Sequence, residues 1–132
     1  MICVLDTSAA FEVALNGSHA EQFRSLLKEA DTVISSSLYL AEIPNVIWKY
    51  VRAGQLSESD GSVLLAELYQ YVDEFTDCPE NAVESLHEAV RLGHPIYDLF
   101  FLTLARRNNA TLLTMDKRLS DLAKELGVPV AE

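Results

Sequence analysis

The chain has 132 residues, of which 20 are acidic and 10 basic, giving a net charge of −10, and its hydrophobic share is 49%. That length fits one domain, residues 1–132, able to bury roughly two-thirds of its unfolded surface without a disulfide or metal staple. The apolar share excludes a disordered chain, and the acidic balance excludes a protein that coats nucleic acid through Lys and Arg on phosphates.

In chain order, Ile2–Leu5 reads as a short buried strand and about Ala9 to Leu15 as helical. Gly17 breaks that helix, and Ser18 is placed to cap the next, where Ala20, Phe23, Leu26, Leu27 and Ala30 keep helical spacing. Thr32–Ser35 is a second strand. Ser37 opens a long helix that stops near Gly54, and Pro44 inside it predicts a kink or a break. Ser57 opens another helix, with Val63, Leu64, Leu65, Leu68 and Val72 apolar. Phe75–Cys78 reads as a strand, and Pro79 suits the first turn of a helix that ends at Gly93. After the His94-Pro95 loop, Ile96–Asn108 is an almost wholly apolar helix. Thr111–Thr114 is a strand, Lys117–Leu126 a helix ended by Gly127, and Val128–Val130 a last strand. Short apolar strands alternating with helices predict an α/β fold with a parallel sheet covered on both faces, where ligands gather beyond the C-terminal strand ends.

The apolar opening of the chain is cut short by Asp6, too early for a secretory signal, and no run approaches a membrane span. The cytoplasm is the expected location, with no membrane partner. Cys3 and Cys78 lack metal-ligand spacing, and Cys3 is expected as a buried thiol. His19, His87 and His94 form no paired pattern and are expected on the surface or in loops, which disfavours zinc.

Four carboxylates stand apart from the polar clusters that hold most of the acids. Asp6 follows the first strand in ICVLDTSAAF, and Asp116 follows a later strand in TLLTMD. Glu42 is the only charge in SLYLAEIPNVIW, and Asp98 is the only one in HPIYDLFFLTLA. An unpaired buried charge costs several kcal/mol. Any one of these acids could cap a helix or sit in an ion pair, but four such cases suggest one shared cause. Carboxylates without His or Cys suit a hard cation such as Mg²⁺ or Mn²⁺. Two carboxylates ~5 Å apart repel by roughly 3 kcal/mol at an effective dielectric near 20, and a metal reverses that sign. Such a site activates water for phosphodiester hydrolysis, with one or two ions bound. Thr7, Ser8 and Thr114 flank the aspartates as supporting hydroxyls, or serve as turn and cap residues. Glu42, Asn45, Lys49 and Arg52 are spaced to share one helix face, with Ile43, Ile47, Tyr50 and Val51 opposite, unless Pro44 turns the first of them away. That stripe places phosphate contacts behind a metal ligand, or is simply solvated.

The ordered set VLDTSA, AEIPN, HPIYDLFFLTLA and LLTMDKRL resembles the PIN-domain ribonucleases, and within them the small VapC-type toxins, from residue 2 to about residue 130. The resemblance implies a three-layer α/β/α sandwich with a parallel sheet. It implies that Asp6, Glu42, Asp98 and Asp116 bind Mg²⁺ or Mn²⁺ and catalyse RNA cleavage, supported by Thr7, Ser8, Asn45 and Thr114. It further implies a homodimer and a cognate antitoxin. Lys49, Arg52, Lys117 and Arg118 are the candidate RNA contacts.

A haloacid-dehalogenase-like phosphatase would need a second Asp where Ser8 stands, and a receiver domain would need an acidic pair at the start and a Lys after a late core strand. A silent binding module and a housekeeping RNA-processing nuclease remain as alternatives. The Ser57–Phe75 segment, with Tyr69, Tyr71 and Phe75, is a candidate dimer or antitoxin surface, or else core. Lys49, Arg52, Arg106, Arg107, Lys117 and Arg118 are six of the ten basic residues, and all follow a candidate carboxylate closely. The charge therefore permits one locally basic, metal-centred cleft on an acidic body.

Overall fold

The structure, a computed structural model, describes residues 1–131. Its elements are β1 (Ile2–Leu5), α1 (Thr7–Ala14), α2 (Ala20–Glu29), β2 (Thr32–Ser36), α3 (Leu38–Arg52), α4 (Glu58–Gln70), β3 (Glu74–Thr76), a 3₁₀ turn (Cys78–Asn81), α5 (Ala82–Leu92), α6 (Ile96–Arg107), β4 (Thr111–Leu113), α7 (Lys117–Glu125) and β5 (Val130–Ala131). All the strand pairings are parallel, in the order β3-β2-β1-β4-β5.

β1 is the central strand. Val4 pairs with Ile34 on one side and Leu112 on the other, so Cys3, Val4 and Leu5 are wholly buried. This is why β1 reads as an unbroken apolar run rather than an alternating one. Helices cover both faces, giving the expected α/β/α sandwich. Helix α6 lies against β1, β2 and β4, and every residue from Leu99 to Ala105 is buried. Its apolar sequence follows from burial among the sheet, α5 and α7.

Several boundaries shift for local reasons. α1 starts at Thr7 because the Asp6 side chain caps it by accepting from Ala9 N–H. Ser18 does not cap α2: its hydroxyl turns to His19 Nδ1, and Glu12 Oε2 accepts the His19 N–H at 2.8 Å instead. β3 begins at Glu74 and ends at Thr76, and Pro79 sits in the 3₁₀ turn that precedes α5. Gly93 ends α5 in the left-handed region, at φ 62°, where an L side chain would be strained. Cys3 is the expected buried free thiol.

Pro44 neither breaks α3 nor splits it: one helix runs from Leu38 to Arg52. A proline cannot donate to the carbonyl four residues back, here Leu40. That carbonyl accepts from the Tyr69 hydroxyl at 2.5 Å instead. Tyr39 returns the interaction, donating to Leu68 O at 2.6 Å. The two tyrosines thus lace α3 to α4. Tyr69, Tyr71 and Phe75 pack against the core, with Phe75 tilted on Tyr39. The aromatic residues of this segment are therefore half-buried against the core rather than laid out on an open surface. What remains exposed there is Val63 and, across on α3, Trp48.

Candidate active site

In the strand order, the chain moves from β1 outward to β2 and β3, then returns to the other side of β1 with β4. The reversal lies between β1 and β4, and open parallel sheets bind ligands beyond the C-terminal ends of strands at such a point. Asp6 follows β1 and Asp116 lies just past β4. Asp6 N–H donates to Leu113 O, which ties the two strand ends together. Glu42 reaches the same place from the second turn of α3, and Asp98 from the first turn of α6. All four carboxylates, with Thr7 and Ser8, line one cleft of about 280 Å³. Phe11, Val46, Tyr50 and Phe101 form its apolar walls.

Each carboxylate is held by groups of its own neighbourhood. Asp6 Oδ1 accepts from Ala9 N–H at 2.8 Å and from the Ser8 hydroxyl at 2.7 Å, while Oδ2 accepts from the Thr114 hydroxyl. Thr114 Oγ1 in turn accepts from Asp116 N–H at 3.0 Å, and Ser8 Oγ accepts from Met115 N–H at 2.9 Å. Asp116 caps α7, with Oδ1 accepting from Leu119 N–H at 3.0 Å. The Thr7 hydroxyl donates to Glu42 Oε1 at 2.7 Å. Asp98 Oδ2 lies 3.0 Å from His94 Nε2. The helix-cap reading and the shared-cleft reading are therefore both true of Asp6 and Asp116.

The electrostatics follow from burial and crowding. Asp6 is 5% exposed. Burial pushes its carboxyl up to about 6; the Thr114, Ala9 and Ser8 bonds oppose that shift and the Asp98 charge adds to it. Burial also raises Glu42, against the Thr7 bond and with the Asp98 charge. Among the described residues no Lys or Arg pairs with any of the four acids. Nor do three or more His, Cys, Asp or Glu side chains form a ready cluster able to hold a metal. The acids surround a cleft, but two of them face their own helix N-termini.

The basic residues are placed less favourably than their spacing suggested. Along α3 the cleft is met by Glu42, Val46 and Tyr50, in steps of four, so Tyr50 faces it rather than away. Asn45 is exposed and lies off that line. Lys49 borders a side recess with Val46 and Tyr50. Arg52 lies over the Trp48 ring at 4.5 Å, and Lys117 is 3.7 Å from Asp121. Arg106 and Arg107 bind Glu88 and Glu84 on α5, away from the cleft. Arg118 Nε donates to His94 Nδ1 at 2.8 Å. His94 lies in the expected loop between α5 and α6, but it is buried there, because it fills the space between Arg118 and Asp98. The spacing of four between His94 and Asp98 was the one available signal, obscured because α6 begins only at Ile96.

The family model described as "PIN domain" matches residues 3–125. The chain belongs to the PIN-domain family. Ribonuclease VapC3 of Pyrobaculum aerophilum is 27% identical to this PIN domain over 131 residues, covering 98% of the chain and all of the relative. Among solved structures, PAE2754 from Pyrobaculum aerophilum superposes with a TM-score of 0.72 at 21% identity, covering 96% of each chain. A chain of VapBC2 from Rickettsia felis, solved bound to a DNA fragment from its promoter, gives 0.69 at 21% identity, covering 99% of this chain and 98% of that one. A chain of VapBC-1 from nontypeable Haemophilus influenzae gives 0.69 at 16%, covering 100% and 98%. The fold of this PIN domain is thus the one those proteins share, and its family places it in the nuclease class.

Proposed function

We propose that this chain is a divalent-metal-dependent endoribonuclease that hydrolyses RNA phosphodiester bonds, and that it is the toxin of a toxin–antitoxin pair. The observation that carries this reading is the cleft at the β1/β4 reversal. Four carboxylates line it, and no Lys or Arg of the described residues neutralises them. The donor set fits a hard cation. Among the described residues Glu42 Oε2, Asp98 Oδ1 and Asp116 Oδ2 carry no hydrogen bond, so three oxygens remain free to bind. Asp6, Glu42, Asp98 and Asp116 would hold one or two Mg²⁺ or Mn²⁺ ions there. Such an ion supplies an activated water and neutralises charge on the phosphodiester transition state.

The chain's own groups do the positioning. Thr114 and Ser8 fix both oxygens of Asp6, and Thr7 fixes one oxygen of Glu42, which limits their rotation. Phe11, Val46 and Phe101 form apolar walls, and the half-buried Tyr50 ring is the aromatic face open to an RNA base. Lys49, at the rim beside Tyr50, is the best placed of the candidate phosphate contacts.

The toxin assignment is supported by the 27% identity to Ribonuclease VapC3 across the whole chain. An antitoxin partner is inferred by analogy with the two VapBC proteins of the same fold. A homodimer is supported by α5, whose Val83, Leu86 and Val90 are 84%, 58% and 77% exposed in one stripe. The charges beside that stripe are already paired within the chain, Glu84 with Arg107 and Glu88 with Arg91 and Arg106. Two acids against three bases leave this face without the negative excess of the rest of the body, so a second copy can approach it. No helix of the described residues is long and apolar enough to cross a membrane; the cytoplasm is the proposed site of action.

The test is to incubate the chain with a cellular RNA pool in Mg²⁺, Mn²⁺ or EDTA and to sequence the RNA ends. New discrete ends should appear with metal and vanish with EDTA and in Asp98→Asn. No metal-dependent ends from the wild-type chain would refute the enzyme. The absence of a ready metal cluster would then favour the silent binding module.

A further inference from the structure

His94 is placed with more care than a loop histidine needs. Its N–H donates to Ala89 O, it follows the left-handed Gly93, and Pro95 fixes the next residue at φ −56°. The side chain is 5% exposed. We propose that His94 is a positioning residue for Asp98, held in one tautomer by Arg118, and that it sets the affinity of the cleft for a divalent cation.

The argument starts from donors and acceptors. An arginine N–H can only donate. Arg118 Nε lies 2.8 Å from His94 Nδ1, so Nδ1 is the bare, accepting nitrogen. The ring proton is then on Nε2, which donates to Asp98 Oδ2 at 3.0 Å. Arg118 belongs to α7 and Asp98 to α6, so the imidazole is a spacer joining the two helices that carry Asp98 and Asp116.

Two consequences follow for the cleft. Asp98 has one oxygen occupied, and Oδ1 is left without a hydrogen bond among the described residues. A cation meets a carboxylate whose rotation is already restricted, so less order must be imposed on binding. The Arg118 charge is also kept one ring away from Asp98. In direct contact it would compete with the metal for the carboxylate; through the neutral ring it only orients it. Groups that orient a ligand in this way are typically worth about 10–100-fold in metal affinity.

The inference rests on the metal-dependent reading above, and Mn²⁺ binding without RNA separates the two. Free Mn²⁺ is followed by electron paramagnetic resonance in the full-length chain. His94→Phe keeps the ring but removes the N–H, and should bind Mn²⁺ about 10–100-fold more weakly. His94→Gln carries an N–H at about the reach of Nε2, and should stay within about 3-fold of wild type by the same orientation argument. His94→Asn, whose amide is too short, should behave like His94→Phe and serves if the phenylalanine variant does not fold. In the metal-free wild type, imidazole ¹⁵N spectra should show a protonated Nε2 and a bare Nδ1. Unchanged Mn²⁺ affinity in folded His94→Phe or His94→Asn overturns the proposal. So does a doubly protonated or Nδ1-protonated ring, or a folded His94→Gln as weak as His94→Asn. No Mn²⁺ binding by the wild type overturns the metal reading itself, and the ¹⁵N spectra then report separately whether the Arg118–His94–Asp98 chain exists.

Discussion

Removing the charge of Asp6 should stabilise the metal-free protein. Asp6 is a buried carboxylate raised from an ordinary 3.8 to about 6. The folded state therefore binds its proton more tightly than the unfolded state does. The stability tied to that proton is fully present below the unfolded value and is lost as pH rises through about 6. A rise of about two units corresponds to a cost of at most about 3 kcal/mol at neutral pH. Asp6→Asn abolishes the titration yet keeps an oxygen for the Ala9 N–H and the Ser8 hydroxyl. It loses the acceptor for the Thr114 hydroxyl, a cost of about 1 kcal/mol. The net expectation is a gain of about 2 kcal/mol, or very roughly 6–10 °C in melting temperature for a domain of this size. Asp6→Ala loses the cap as well and should melt below Asp6→Asn by about 1–2 kcal/mol. Thermal melts in EDTA from pH 4 to 7.5 are the assay. Wild type should lose stability across pH 4–6 relative to Asp6→Asn. The reasoning fails if Asp6→Asn melts several degrees below wild type at pH 7, or if the two share one pH slope.

Three further predictions concern the frame. Tyr69→Phe orphans the Leu40 carbonyl that Pro44 cannot serve, and should cost about 1–2 kcal/mol in urea unfolding. In a Pro44→Ala background the alanine N–H can donate to Leu40, so the same change should cost about 1 kcal/mol less; equal costs would refute the link. The Arg91 and Arg106 bonds hold Glu88 below the usual carboxylate range, so its contribution is present above the unfolded value and is lost as pH falls through the folded one. Glu88→Gln should therefore be less stable at pH 7 and flatter in acid melts, and an unaltered acid limb would count against the pairing. Val90→Glu puts a charge in the α5 stripe and should yield a monomer by light scattering at unchanged melting temperature; a wild-type chain already monomeric would refute the dimer face.

The fold was largely legible because burial leaves a direct trace in composition. Cys3–Leu5 of β1 and Leu99–Ala105 of α6 are buried, and both read as almost unbroken apolar runs. The four carboxylates were legible for the complementary reason, that a charge in such a run must be accounted for. Side-chain direction was not legible. The α3 stripe assumed that Asn45 follows Glu42 toward the cleft, whereas Val46 and Tyr50 do. Pro44 reads as a kink or a break because the hydroxyl that relieves it comes from Tyr69, 25 residues on by number and on another helix. His94 reads as a surface or loop histidine and Arg118 as an RNA contact; the loop holds, but the bond between them is invisible, since a long-range side-chain bond leaves no periodic trace.

The tie between Asp6 and the strand end at Leu113 bears on how the protein comes into being. A chain made from its N-terminus holds Asp6 and Glu42 early, but the carbonyl that anchors Asp6, the Thr114 hydroxyl and Asp116 all arrive in its last part. Parallel pairing of β1 with β4 closes a loop of about a hundred residues, among the slowest kinds of contact to form. A half-made or truncated copy therefore has no assembled cleft.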